Sequence, residues 1–389
     1  MTGNYLVYYY YIIFSPKSAD PTLQKMKLLL LAFFLFASYA SHNLKFNDRG
    51  EFVIVQFTDL HFCSNVSLDT NTQALQKRIL EQVKPDFVAI SGDGVSGGPA
   101  SRVRGGFETC WKSMLAPITE ANVPYGYILG NHDAEGNLDR FQITRLDETH
   151  PLSVRKGSEG IPSTTNFVIP IHSSKNKTKL AANIWMFDTN YVGCDGLENS
   201  WGCVEKYQLA WYDKQSKKIK AKHGKDVHHL AFIHIPIPEY MEIYNGNEYF
   251  GEMNEGIGCP FVNTGFFDHV KKNGDISAVF CGHDHSNNMG GFYKGVELVY
   301  GQKSGYNGSG VIRGARVIIL KENYTADGKL FVTRKHYAIQ ESGKIVESVP
   351  LKRKKQAKLQ ACKVPGGPDS QLMRKIKKMF WDTKHLIKK

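Results

Sequence analysis

A chain of 389 residues with 42% apolar side chains can bury one large core and does not require two independent domains. The formal net charge is +12, yet residues 351–389 alone carry thirteen Lys or Arg against two Asp, a net +11. The rest is almost neutral, which argues against a basic nucleic-acid-binding body, and no sequence-specific nucleic-acid partner is expected.

At the N-terminus, Met26-Lys27, the apolar run 28–37 and the small-residue site Ser38-Tyr39-Ala40 have the basic, apolar and cleavage regions of a secretory signal peptide. That run of about ten residues is too short to span a bilayer. Residues 1–25, with an aromatic stretch over 5–14, are unusual ahead of a signal peptide. Translation starting at Met26 accounts for them; the alternative is that both apolar segments form one signal anchor.

Downstream, five apolar runs read as buried strands: 52–57, 87–91, 125–129, 230–233 and 276–281. Each ends in polar residues, in order Asp59-Leu60-His61, Gly92-Asp93, Gly130-Asn131-His132-Asp133, a lone His234 and Gly282-His283-Asp284-His285. All five therefore project from the C-terminal edge of a sheet, where α/β folds place their chemistry. Helices are expected over 72–83, 106–121, 206–221 and 266–272. His228 and His229 are expected to face solvent or pack at an edge. The C-terminal part reads as strands 291–300, 311–320 and 329–339, with Ala326-Asp327-Gly328 turning between the last two. The expected architecture is α/β, a two-sheet β-sandwich flanked by helices.

Asp59 and His61, like His283 and His285, are two residues apart, a spacing that turns both side chains to one side of extended backbone. Asp59, His61, Asp93, Asn131, His234, His283 and His285 make seven ligands, too many for one transition metal and suited to two, with Asp93 shared. Imidazole, carboxylate and amide without thiolate favour Zn, Mn or Fe. Hydroxide between two such ions is a nucleophile at neutral pH. With Asn131 turned to a metal, the adjacent His132 can reach substrate as general acid, and Asp133 is a candidate to orient it.

The order D-x-H, GD, GNH-D, lone H and GHxH resembles the calcineurin-like metallophosphoesterase superfamily. The runs Asn263-Thr264-Gly265-Phe266-Phe267, 279–285 and 313–317 are similar to its purple acid phosphatase 28/29-like (Dcr2-like) branch, over roughly residues 50–320. The resemblance implies a dinuclear site, with two divalent or mixed-valence ions, and gives His132 the acid role. Coloured purple acid phosphatases carry GDxxY, whose Tyr binds Fe(III); here Ser96 stands at that position. Members of the branch are often labelled inactive, but no ligand position is lost here. The chain thus reads as a metal-dependent phosphoesterase hydrolysing phosphomonoesters by attack of a metal-bridging hydroxide. The alternatives are a phosphodiesterase on nucleotides or phospholipid head groups, or a non-catalytic binding protein of the same fold. Tyr240, Glu255, Tyr306 and Arg316 remain open as cleft residues.

Domain boundaries follow at 1–40, 41–350 and 351–389. Four sequons, Asn65, Asn176, Asn307 and Asn323, become usable if the chain is secreted or lumenal. Of seven cysteines, Cys194 and Cys203 flank a Gly-containing loop and are the expected disulfide, Cys281 is expected as a buried thiol, and Cys63, Cys110, Cys259 and Cys362 are left unpaired. In the tail, Leu372, Ile376, Met379, Phe380 and Ile387 share one helical face, with lysines largely on the others, as in a basic amphipathic helix. Acidic glycans or another anionic surface are its expected partners.

Overall fold

The computed structural model describes residues 43–155, 160–310 and 312–363. The signal-like segment and the amphipathic part of the tail lie outside the described residues. Strands β1 (Glu51–Phe57), β2 (Phe87–Ser91) and β3 (Tyr125–Ile128) run parallel in a first sheet. It is completed by β13 (Gly314–Tyr324), β14 (Leu330–Gln340) and β15 (Ile345–Glu347), in the order β15-β14-β13-β1-β2-β3. In the second sheet β5 (Leu180–Met186), β8 (His228–Phe232), β10 (Ile276–Cys281) and β12 (Val296–Tyr300) are parallel. Its antiparallel edges are β4 (Phe167–His172) and β11 (Gly290–Tyr293).

Side-chain alternation along the strands divides the interior into three layers. Phe52 and Ile54 of β1 meet Leu230, Phe232, Ala278 and Phe280 of the second sheet between the sheets. Val55 and Phe57 face outward onto α1 (Val66–Val83) and α3 (Gly106–Glu120). On the other outer face, Trp185, Ala231, Ile233 and Val279 pack against α5 (Lys206–His223), α6 (Tyr240–Gly246) and α7 (Phe266–Asn273). Both sheets are thus buried on both faces, which is why their central strands read as continuous apolar runs.

Several expectations shift for local reasons. Helix α1 starts six residues before the expected 72, because the Asn65 side chain caps it by accepting from the Ser67 amide. Segment 291–300 is not one strand: Lys294 and Gly295 both take positive φ (45° and 82°), turning β11 back onto β12. His229 is a core residue, 1% exposed, with Nδ1 accepting from Trp185 Nε1 at 2.7 Å. Strands β4 and β5 and helix α4 (Arg140–Glu148), none of them expected, fill the interval between the third motif and α5. Helix α2 (Gly97–Ala100) is a single turn after the second motif.

Disulfides join Cys63 to Cys110, Cys194 to Cys203 and Cys259 to Cys362, and Cys281 is a buried free thiol. The third bond alters the reading of the tail, since residues 351–363 belong to the body. In that segment β16 (Leu351–Lys352) pairs with β9 (Glu248–Tyr249), Leu359 N donates to Asn245, and Lys363 N donates to Ile257 O. Of the four sequons, Asn307 is buried at 1% exposure and donates to Asp69, so the folded chain does not present it for glycosylation. No helix among the described residues is long and apolar enough to cross a membrane.

Candidate metal centre

The loops that follow β1, β2, β3, β8 and β10 converge where the C-terminal ends of the two sheets meet. Asp59, His61, Asp93 and His285 form one group of ligand atoms, and Asp93, His234 and His283 a second, so Asp93 belongs to both. Its Oδ2 lies 3.7 Å from His61 Nε2 and 3.2 Å from His234 Nε2. Asn131 completes the second group, with Oδ1 3.1 Å from His234 Nε2 and 2.9 Å from His283 Nδ1. All seven expected ligand residues are therefore brought together.

The chain bends sharply to deliver them. Asp59 (φ 53°), His61 (53°), Asp93 (50°) and His283 (76°) all occupy the left-handed region, which disfavours side chains. Glycines give the necessary room. A Cβ on Gly92 would lie 2.3 Å from the His234 ring, and one on Gly130 would lie 2.2 Å from Asp93 Oδ1.

Donor chemistry tests whether metal ions fit. His234 Nδ1 donates to Ser91 O at 2.8 Å, so in the neutral ring Nε2 is a lone pair facing the Asn131 and Asp93 oxygens. Acceptor facing acceptor calls for a cation. Burial opposes a charge on His234, but Asp93 and Asp59 outweigh it and raise the ring to about 9. His61, His283 and His285 are instead held well below the ordinary imidazole value, chiefly by burial, and stay neutral as a metal ligand requires. His61 Nε2 faces His285 Nε2 at 3.0 Å, a second pair of nitrogens that a cation would separate. The residues fit two ions.

Around the ligands stand residues that support them. Ser96, at the position where GDxxY has Tyr, meets His61 Nδ1 at 3.1 Å and orients the ring with Nε2 toward the site. Lys303, 2% exposed, donates to Asp59 O at 2.9 Å, and burial lowers its ammonium to about 8. Asp188, beyond β5, pairs with Arg140, which also donates to Gly130 O.

His132 and Asp133 have separate surroundings. Asp133 points away from His132 into the loops, fully buried, and accepts from the amides of Asp93 (3.0 Å), Val95 (2.9 Å) and Gly130 (2.7 Å) and from Tyr127. It does not orient the histidine, because adjacent residues on this bend face opposite ways. The partner of His132 Nδ1 is Glu135 Oε2, at 2.8 Å. The His132 side chain is 43% exposed. Burial opposes its charge, yet Asp93 and Glu135 outweigh that and raise it to about 9 in the field of the protein groups alone. Of the open cleft residues, Tyr240 and Arg316 are core (0% and 1% exposed), and Tyr306 binds Glu341. Glu255 sits nearer, accepting from Ser286 N and from Lys363.

A family model described as calcineurin-like phosphoesterase matches residues 52–287, an interval that holds all seven ligand positions. The chain belongs to the calcineurin-like phosphoesterase family. Among curated relatives it is 29% identical to "Probable inactive purple acid phosphatase 29" of Arabidopsis thaliana, over 75% of this chain and 82% of that one. It is 27% identical to "Phosphatase DCR2" of Saccharomyces cerevisiae, over 64% of this chain and 46% of that longer protein. A dimetal phosphatase from Danio rerio has the same fold, with a TM-score of 0.52 at 13% identity, covering 77% of this chain and 98% of its own. Calcineurin-like phosphoesterases use dinuclear centres, and the cluster around Asp93 is the candidate for one here.

Proposed function

We propose that this calcineurin-like phosphoesterase is an active phosphomonoesterase, with Asp59, His61, Asp93 and His285 holding one metal ion and Asp93, Asn131, His234 and His283 the other. The observation that carries this reading is the complete set of seven converging ligands with one shared carboxylate. When bound, the two ions would supply positive charge to the phosphoryl oxygens and acidify a water to serve as nucleophile.

The protein's own groups supply the rest. Neutral His61, His283 and His285 and the carboxylates Asp59 and Asp93 fix the positions of the ions. His132, held at Nδ1 by Glu135, presents Nε2 to the leaving oxygen and gives up its proton there. With Ser96 bound to His61 and no phenolate at that position, the metal-loaded protein should lack a tyrosinate-to-iron absorption band. The three disulfides support secretion or residence in an oxidising lumen. The basic tail would then meet anionic glycans or surfaces there.

Hydrolysis of p-nitrophenyl phosphate and bis-p-nitrophenyl phosphate, with and without chelator, tests the proposal. Chelator-sensitive turnover favouring the monoester is expected. Preference for the diester would make the protein a phosphodiesterase, and metal binding with no turnover of either would make it a binding protein.

A further inference from the structure

One disulfide-closed hairpin reaches both sides of the candidate centre. It comprises β6 (Val192–Cys194) and β7 (Leu197–Trp201), flanked by Tyr191 and Gly202, with Cys194 bonded to Cys203. Its root is closed by Asn190 Nδ2 donating to Cys203 O at 3.1 Å and Gly202 N to Tyr191 O at 3.1 Å, and it is tied to the body by Trp201 Nε1 donating to Lys363 O at 3.1 Å and Phe261 N to Ser200 Oγ at 2.9 Å. At the end of its second strand the Trp201 ring stands 4.4 Å from the His283 ring, edge to face. Beside it at the root, ahead of the first strand, the Tyr191 hydroxyl donates to Glu135 Oε1 at 3.1 Å, and Glu135 Oε2 in turn meets His132 Nδ1 at 2.8 Å.

We infer that Tyr191 and Glu135 are positioning residues for His132, and that the disulfide-closed hairpin holds them. The inference rests on the proposed acid role of His132. His132 is 43% exposed, so packing does not fix its ring. With Nδ1 tied to Glu135, the ring has one remaining nitrogen, Nε2, and one orientation in which to offer it. Glu135 is itself 29% exposed and would sample several rotamers without the second bond from Tyr191. Tyr191 keeps its place because the strand pairing of the hairpin and the Cys194–Cys203 bond limit its backbone. A carboxylate that holds one nitrogen and thereby aims the other is a recurrent way to orient a working imidazole. Here the third member of the chain comes from a different loop, 56 residues away in sequence.

The test uses the full chain loaded with zinc and a series of substituted phenyl phosphates whose leaving groups range from good to poor. Glu135→Ala should lower kcat by about 10- to 100-fold for the poorest leaving group and much less for p-nitrophenyl phosphate, with KM within about twofold. Glu135→Gln, whose amide oxygen can still accept, should recover most of the loss, and Tyr191→Phe should show the same pattern more weakly. In a His132→Ala background neither change should cost anything further. Proton–nitrogen correlation spectra of the imidazoles should show the His132 Nδ1–H resonance lost in Glu135→Ala, with two zinc ions still bound. A loss of rate that is equal for all leaving groups, or that persists in the His132→Ala background, overturns the inference. If His132→Ala itself leaves every substrate unaffected, the acid role fails, and the positioning role fails with it. If His132→Ala slows turnover but Glu135→Ala does not, only the positioning role fails.

Discussion

From the first sheet, Asp59, His61 and Asp93 enter the centre on left-handed backbone. From the second, only His283 does, while His234 and His285 are placed by ordinary loops. The first edge is braced mainly by Asp133, which ties the loop after β2 to the loop after β3 through three amides, and by one disulfide, Cys63–Cys110, that pins the chain just past His61 to α3. The second has a smaller carboxylate brace, Asp284, and two disulfides, one closing the hairpin 191–203 and one joining the loop of Cys259 to the strap 351–363. Strain costing on the order of 1 kcal/mol per bent residue is tolerated only where surrounding contacts over-determine the backbone. Three of the four left-handed ligands thus lie on the first edge, where Asp133 braces two ligand loops at once.

The largest effect should come from the residue both edges share. Asp93→Ala should abolish two-metal binding and lower turnover by roughly three orders of magnitude, about the upper end for loss of one electrostatic stabiliser. Elemental analysis alongside hydrolysis rates would check this, and two ions retained at full activity would remove Asp93 from the centre. Next is the external tie: Cys362→Ser opens a loop with a sequence separation of 103, and chain entropy puts the loss at about 5 kcal/mol, against about 3 for the separation of 9 at Cys194–Cys203. Denaturant melts of the two variants would rank them. Third, Asp133→Ala should cost on the order of 4 kcal/mol, because three amides and a phenol lose their acceptor. Asp284→Ala, which strands only Gly258 N and Tyr300, should cost about half as much. Equal losses would mean the two edges are held alike.

The smallest effect is one of pH and belongs to the second sheet alone. Burial lowers His229 to about 4, so between that value and 6.5 the unfolded chain takes up a proton that the folded one refuses. Stability from this group is complete above pH 6.5 and is lost as pH falls, by on the order of 2 kcal/mol at pH 5. Thermal melts of His229→Gln, which can still accept from Trp185, should show a shallower decline on acidification than the parent chain.

How much of this was legible depended on where each feature lies in sequence. The five motif strands could be read because each is an apolar run stopped by a polar ligand, and the seven ligands because their types fall in order after those stops. Strand β4 was hidden by Pro170, which breaks a strand pattern but is tolerated on an edge strand such as this one. The place of Asp133 was not legible, because adjacency to His132 in sequence does not say that its carboxylate turns back to the amides of Asp93, Val95 and Gly130. Glu135 carried one usable signal, its spacing of three from His132 on a turn. Ser96 was marked only by its place in the GDxxY pattern, and Tyr191, Trp201 and Lys303 carried no signal, since each reaches the centre from a loop whose path is set by distant packing. Pairing Cys259 with Cys362 needed the strap, and charge counting treated that strap as part of a separate tail.

Cys281 gives the order of folding a chemical consequence. Its thiol is buried on β10, between Cys259 and Cys362 in the chain, and burial pushes its ionisation well above the ordinary value. If the chain folds in an oxidising compartment, as proposed above, Cys259 is separated from Cys281 by far fewer residues than from its true partner, Cys362. Thiolate is the species that exchanges, so burying Cys281 removes the competitor. In such a compartment, closing the second sheet over β10 before the last crosslink forms would protect the Cys259–Cys362 pairing, whereas a Cys259–Cys281 bond would hold β10, and the His283 and His285 that follow it, out of place.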